Sequence, residues 1–295
     1  MAHPHKSSYW KIWMTCGPGL FWELVFLVIP FFGIVLISFL SRGELGDIQL
    51  PFTIENYARL FGKGFLGFDP MYLWILGHSV LLSLLTTALC LATGLPLAFF
   101  IAQLNERVRH FALMLVVAPL WTNLLIRTYA WQIILAPEGL VTRLVSWLGI
   151  INPHDAFYPG IFAVYIGMVC DYLPFLVLPL YVSVEKIDYH LIDAARDLGA
   201  NPLQVLRHAI FPQIAPGLFA GIILVFIPAL GQFIIPDLLG GAKIMLLGNA
   251  LQMEFGASRD WPFGSAIAVV TLALVSAGLF LYAQLQRSSE QDRSL

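Results

Sequence analysis

The stretch "LIDAARDLGANPLQVLRHAIFPQ", residues 191–213, lies between two long apolar runs and yet is mixed and charged. Leu191, Ala194, Ala195 and Leu198 recur at helical spacing, with Asp188, Asp193, Arg196 and Asp197 filling the other positions. Gly199 suits a left-handed helix end, where a residue with Cβ is strained. Asn201 followed by Pro202 reads as a cap and first turn of a second helix. Leu203, Leu206 and Ile210 give that helix an apolar side, and Pro212 is expected to close it before the next span begins. The stretch therefore predicts two short helices joined by a glycine corner. A helix lying on an anionic membrane surface carries basic residues on its polar face. Asp188, Asp193 and Asp197 suit such a surface poorly, so the groove of a soluble partner is the better host.

Hydrophobic residues make up 59% of the 295-residue chain and charged residues 12%. Soluble domains carry about 25% charged residues, so a membrane protein is expected. The net charge of −2 points to no nucleic-acid partner. Cys16, Cys90 and Cys170 lie in or near apolar runs with neither metal-ligand nor disulfide spacing, and read as buried small hydrophobes. The first run, Pro18 to Leu40, is preceded by Lys6 and Lys11. It exceeds the apolar region of a secretory signal and no small-x-small site follows it, so it reads as a retained membrane helix.

Six spans are predicted, at 18–40, 74–103, 110–135, 159–182, 213–240 and 263–286. Each must be a helix, because lipid offers nothing to an unpaired backbone group. The chain is read as one all-α transmembrane domain over 1–295, with residues 183–212 as its largest charged connection on one side. Residues 104–109 form a tight basic turn, and residues 41–73 a long loop containing "GKGFLGFDP". Lys6, Lys11, Arg107, Arg109, Lys186, Arg196, Arg207, Arg287 and Arg293 fall on one side of the membrane. Arg42, Arg59, Lys63, Arg143, Lys243 and Arg259 fall on the other. The richer side is cytoplasmic by the positive-inside rule, which puts both termini and the opening stretch there.

Asp193-Ala194-Ala195, three residues, Gly199, a hydrophobic residue and then Pro212 together resemble the cytoplasmic loop of ATP-binding cassette importer permeases. Asp193 stands where that family usually has Glu, Ala209 where it has Ile, and Phe211 where it has Leu. "PLWTNLLIRTYAW" (119–131), "GQFIIPDLLGGAK" (231–243) and "RDWPFGSA" (259–266) resemble the spermidine/putrescine-type permease subunits. The resemblance implies a type I importer permease fold of six transmembrane helices in a bacterial inner membrane. It also implies a coupling helix, carried by Asp193, Ala194, Ala195, Leu198, Gly199 and Pro212, that docks on an ATPase subunit. The partners so implied are a second permease subunit, homologous or identical, two copies of a cytoplasmic ATPase, and an extracytoplasmic solute-binding protein. The solute implied is a polyamine, with another small solute such as an amino-acid-like compound as the alternative.

The chain has no Gly-x4-Gly-Lys-Ser/Thr phosphate loop, and its only Gly-Lys pair, Gly62-Lys63, reads as flexible loop. No cofactor is expected on this chain, and ATP with magnesium is expected on the partner ATPase. Charge inside a span is costly and marks function by default. Glu23 lies near an inner span end and is read as structural. Arg127 and Asp237 sit at similar depth in a straight-helix reading, so an internal pair between them competes with a role in transport. Asp171 comes out about two turns deeper, beyond easy reach of Arg127, and is the favoured substrate-facing carboxylate.

Asn123, Arg127 and Trp131 are spaced four apart and share one helix face. Pro216, Pro228 and Pro236 with Gly217, Gly221 and Gly231 break the fifth span, where Gln232 and Asp237 lie. Irregular backbone at membrane depth is tolerated where it lines protein or water. Carboxylates would pair the ammonium groups of a polyamine, and Trp121, Tyr129, Trp131 and Tyr172 could offer ring faces to them. An intramembrane enzyme finds no motif among His78, Asp171 and Glu23. An ion-coupled secondary carrier would need inverted repeats, and no internal repeat stands out.

Overall fold

The computed structural model describes residues 7–43, 46–64, 67–149, 157–241 and 243–291. Lys6 and Arg293, counted above for orientation, and residues 150–156 between the predicted third and fourth spans lie outside them. Among the described residues, five helices are long and apolar enough to cross a membrane: Met14–Ile37, Met71–Gln103, Ile161–Glu185, Pro202–Leu230 and Trp261–Phe280. A bent pair, Glu106–Trp121 with Leu124–Trp147, makes a sixth if taken as one span. The chain divides into two compact units, residues 1–73 with 250–295, and residues 74–249.

In the first unit the N-terminal helix widens into a π-turn over Leu24–Val28 before continuing as Ile29–Ile37. Pro30 has no N–H to return to the carbonyl one turn earlier, which accounts for the wide turn there. Ile29–Ile37 packs on the helix Trp261–Gln291. The 41–73 segment, read as a long loop, carries two short hairpins, Ser41–Arg42 with Ile48–Gln49 and Lys63–Gly64 with Gly67–Phe68. Asn56 ties the helix Glu55–Leu60 to the span end by donating to the Ser38 and Leu40 carbonyls, each at 2.9 Å. Tyr72 donates to Glu254 at 2.8 Å, and its ring meets Phe263 edge-on at 4.7 Å.

The second unit is built around Ile161–Glu185, which packs along Phe211–Leu230. Between helices in lipid there is little hydrophobic drive, so close van der Waals contact must hold them together. Glycine makes that possible on both sides of Leu176. A Cβ on Gly94 would come within 2.6 Å of the Leu176 side chain, and one on Gly221 within 3.1 Å of its carbonyl.

Three sequence expectations are corrected. The predicted third span, 110–135, is not one helix. Glu106–Val117 passes through a 3-10 turn at Ala118–Trp121, and a new helix, Leu124–Leu135, starts after a 99° bend. Asn123 caps that helix through Leu125 N–H at 2.8 Å, and such a cap ends one helix as it begins another. The fifth span, 213–240, is broken as expected at Gly231, but not at the earlier positions: the helix runs through Pro216, Gly217, Gly221 and Pro228 to Leu230 and resumes as Ile234–Leu239. Gln232 satisfies the freed Phe233 and Ile234 N–H groups through its carbonyl oxygen at 3.0 and 3.2 Å. Finally, the basic turn at 104–109 is already helical from Glu106, capped by Asn105 through Val108 N–H.

Candidate functional site

The stretch that opened the sequence reading forms the helix Tyr189–Asp197 and the start of Pro202–Leu230. Asp188 caps the first helix through His190 N–H at 2.9 Å. At its far end Ala200 N–H reaches the Ala195 carbonyl at 3.0 Å, and Gly199 N–H reaches that of Arg196 at 2.9 Å. Those two bonds, with Gly199 at φ +81°, are the Schellman ending expected of the glycine corner. Asn201 and Gln204 then close a reciprocal capping box, both bonds at 2.8 Å.

Pro212 does not close the second helix, as the sequence reading had it. It sits in the first turn after a π-turn, Leu206–Ile210, and the chain runs on as helix to Leu230. The wider ring absorbs the missing proline N–H, so no stop is needed. Gln213 binds the corner to this helix, accepting from Asp188 N–H at 2.8 Å while donating to the Ala209 carbonyl at 2.7 Å.

Ile192 turns into the core and Ala195 packs against it half-buried. Leu191, Ala194 and Leu198 line the adjoining exposed side, Leu198 at 90% exposure. Asp193 and Arg196 form only an exposed i,i+3 pair at 3.8 Å. The expected stripe therefore splits: one edge holds the helix to its own chain, and the other leaves leucines uncovered by it.

The pairing of buried charges also differs from the sequence reading. Arg127 pairs with Asp171, not with Asp237, and the same guanidinium donates to the Pro119 carbonyl. Asp171 is buried and Arg127 mostly so, their side chains 10% and 15% exposed. The straight-helix depth estimate put Asp171 out of range; the bend before Leu124 removes its basis. Asp237, by contrast, is exposed in the short helix Ile234–Leu239 and has no charged partner among the described residues.

Arg127 and Trp131 do share a face, bordering a cavity of about 610 Å³ that Pro119, Cys170 and Pro174 also line. Asn123 is instead spent on the helix cap. Tyr172 is buried and accepts from Gln232 Nε2 at 3.1 Å, joining the fourth span to the fifth-span break. Trp121 and Tyr129 are exposed. The sequence reading missed Gln132, whose amide donates to the Leu238 carbonyl at 2.7 Å beside Asp237. A glutamine one position beyond Trp131 in an apolar span was the available signal.

Residues 94–291 match the family described as binding-protein-dependent transport system inner membrane component. The chain belongs to that family. Among the relatives of this inner membrane component is the spermidine/putrescine transport system permease protein PotB of Salmonella typhimurium, 41% identical over 88% of each chain. The PotB of Escherichia coli is 41% identical over 88% of this chain and 92% of its own, and that of Haemophilus influenzae 40% identical over 88% and 89%. The inner membrane component also shares its fold with a bacterial ABC transporter involved in import of the acidic polysaccharide alginate. That structure aligns at TM-score 0.64 and 18% identity over 95% of this chain and 96% of the other. The alginate transporter bound to its pentasaccharide-loaded periplasmic protein aligns at TM-score 0.65, over 91% and 92%. The chain thus has the ABC importer permease fold, within a multi-span inner membrane family.

Proposed function

We propose that this chain is the permease subunit of an ATP-driven polyamine importer and performs no bond chemistry itself. The observation that carries the reading is the 41% identity to spermidine/putrescine permeases over 88% of the chain. Hydrolysis of ATP with magnesium is assigned to two copies of a cytoplasmic ATPase. The exposed Leu191, Ala194 and Leu198 edge offers that ATPase an apolar ridge, with Asp193 and Arg196 as rim charges that set register. Gly199 shapes the corner, and Pro212 lies within the helix that follows it. Both termini are assigned to the cytoplasm by the lysine and arginine distribution. A second permease subunit, homologous or identical, completes the membrane part, and an extracytoplasmic protein delivers the solute.

The path is assigned to the break at Gly231–Phe233 and the surfaces beside it. Asp237 is the free carboxylate there, with Gln232 and Tyr172 at the break, and Trp121, Tyr129 and Trp131 as candidate ring faces. Asp171 serves the path only where an ammonium group of the solute replaces Arg127. Since a protein of the same fold carries an acidic polysaccharide, fold alone does not choose the solute. The test is ATP hydrolysis and uptake by the reconstituted complex, with receptors loaded from a panel of amines, amino acids and oxyanions. Stimulation by spermidine or putrescine is expected. Stimulation by an oxyanion alone would overturn the polyamine assignment.

A further inference from the structure

The first unit contains a cationic pocket that the transport path does not use. Arg59 pairs with Asp260 at 2.9 Å, and Arg42 approaches the same carboxylate oxygen at 3.6 Å. Asp260 is buried, with 4% of its side chain exposed, whereas the two arginines stay nearly half exposed. Each guanidinium is fixed a second time. Arg42 donates to the Ser258 carbonyl at 2.7 Å, and Arg59 lies 4.0 Å above the centre of the Phe263 ring. Lys63 lines the same open pocket of about 510 Å³, is exposed, and has no charged partner among the described residues. Among the described lining residues these three cations face Glu55 and the already paired Asp260, one positive charge in excess.

A positive pocket repels a polyamine, so it is no subsite for that solute. Its geometry suits carboxylates: two half-exposed guanidinium forks held in place lose little side-chain freedom on binding. The 41–73 segment faces the extracytoplasmic side in the topology proposed above. A soluble protein that holds a polycation must carry acidic residues around its own binding mouth. We propose that the Arg42–Arg59–Lys63 pocket is a docking surface for acidic side chains of the extracytoplasmic solute receptor. This rests on the importer reading. Asp260 is the positioning residue that sets both arginines, and charge complementarity of this kind governs encounter and register.

The experiment uses the whole complex in lipid nanodiscs, titrated with its polyamine receptor, and reads receptor-stimulated ATP hydrolysis. Lys63→Glu and Arg42→Gln are each expected to raise the receptor concentration for half-maximal stimulation about tenfold, with a shallower salt dependence. Unchanged concentrations in both variants would overturn the proposal and leave the importer reading standing. Should Arg42→Gln not assemble, Lys63→Glu, which has no charged partner to lose among the described residues, decides alone. A shift that vanishes when anionic lipid is left out would instead assign the pocket to a lipid headgroup and overturn receptor docking. If the unsubstituted complex shows no receptor stimulation, the importer reading fails and this inference with it.

Discussion

Arg127 spans the break in its own polypeptide: one guanidinium nitrogen pairs with Asp171, and another takes the Pro119 carbonyl from before the bend. The ion pair therefore does two jobs. It neutralises two buried charges and it fixes the 99° turn between Glu106–Trp121 and Leu124–Trp147. Removing one partner strands the other's charge, which costs about 3–5 kcal/mol, whereas replacing both with apolar groups is often neutral. Asp171→Asn should thus lower the thermal midpoint and yield of the purified complex, and Arg127→Met with Asp171→Leu should recover much of both. Stability measured by thermal unfolding in detergent checks the first part. Polyamine uptake by the double variant checks the second: unimpaired uptake would make the pair scaffold alone.

Asp237 differs because nothing charged holds it among the described residues. Asp237→Asn should leave the thermal midpoint within about 0.5 kcal/mol equivalent of the original, as surface substitutions do. Uptake of spermidine should fall several-fold. A full rate of uptake at saturating receptor would remove Asp237 from the path.

Gly199 has open space where a Cβ would stand, so any effect of substitution comes from its backbone and not from a clash. At φ +81° a side chain costs roughly 1–2 kcal/mol, and β-branching adds to that. Gly199→Val should leave membrane insertion intact and cut both transport and receptor-stimulated ATP hydrolysis, while Gly199→Asn should be milder. Equal rates for the two variants would refute the corner as the cause.

Leu198 is the sharper probe of docking. Ala195 packs against the core, so a charge placed there would damage the chain's own fold along with any interface. Leu198 is 90% exposed and buries nothing here. Leu198→Asp should therefore preserve the thermal midpoint of the isolated permease and release the ATPase subunit in a detergent pull-down. Retention of the subunit would place the docking element elsewhere.

Much of the opening stretch was legible because its signals are local. The glycine corner, the Asn201 cap and the helical spacing of Leu191 to Leu198 each depend on neighbours within a few residues. The span count was legible for a similar reason, since apolar length is a property of the segment itself. The glycines and prolines of the fifth span announced its break at Gly231, whereas the break in the third span escaped. Hydropathy does not register that Asn123 caps a helix, and without the bend the depth of Arg127 came out wrong. Pro212 was read as a stop because the sequence does not reveal the π-turn that accommodates it. The Arg59–Asp260 contact joins positions 201 residues apart, beyond anything periodicity can report.

The helix Pro202–Leu230 is 29 residues long, roughly 40 Å from end to end. It begins at the corner gripped by Gln213 and ends at the turn where Gln232 and Tyr172 meet. Force applied to the corner then needs no relay of side chains to reach the break. It arrives as the motion of a lever whose handle and working end are the same piece of backbone, with the π-turn Leu206–Ile210, Pro212, Pro216 and Pro228 as flexures along it.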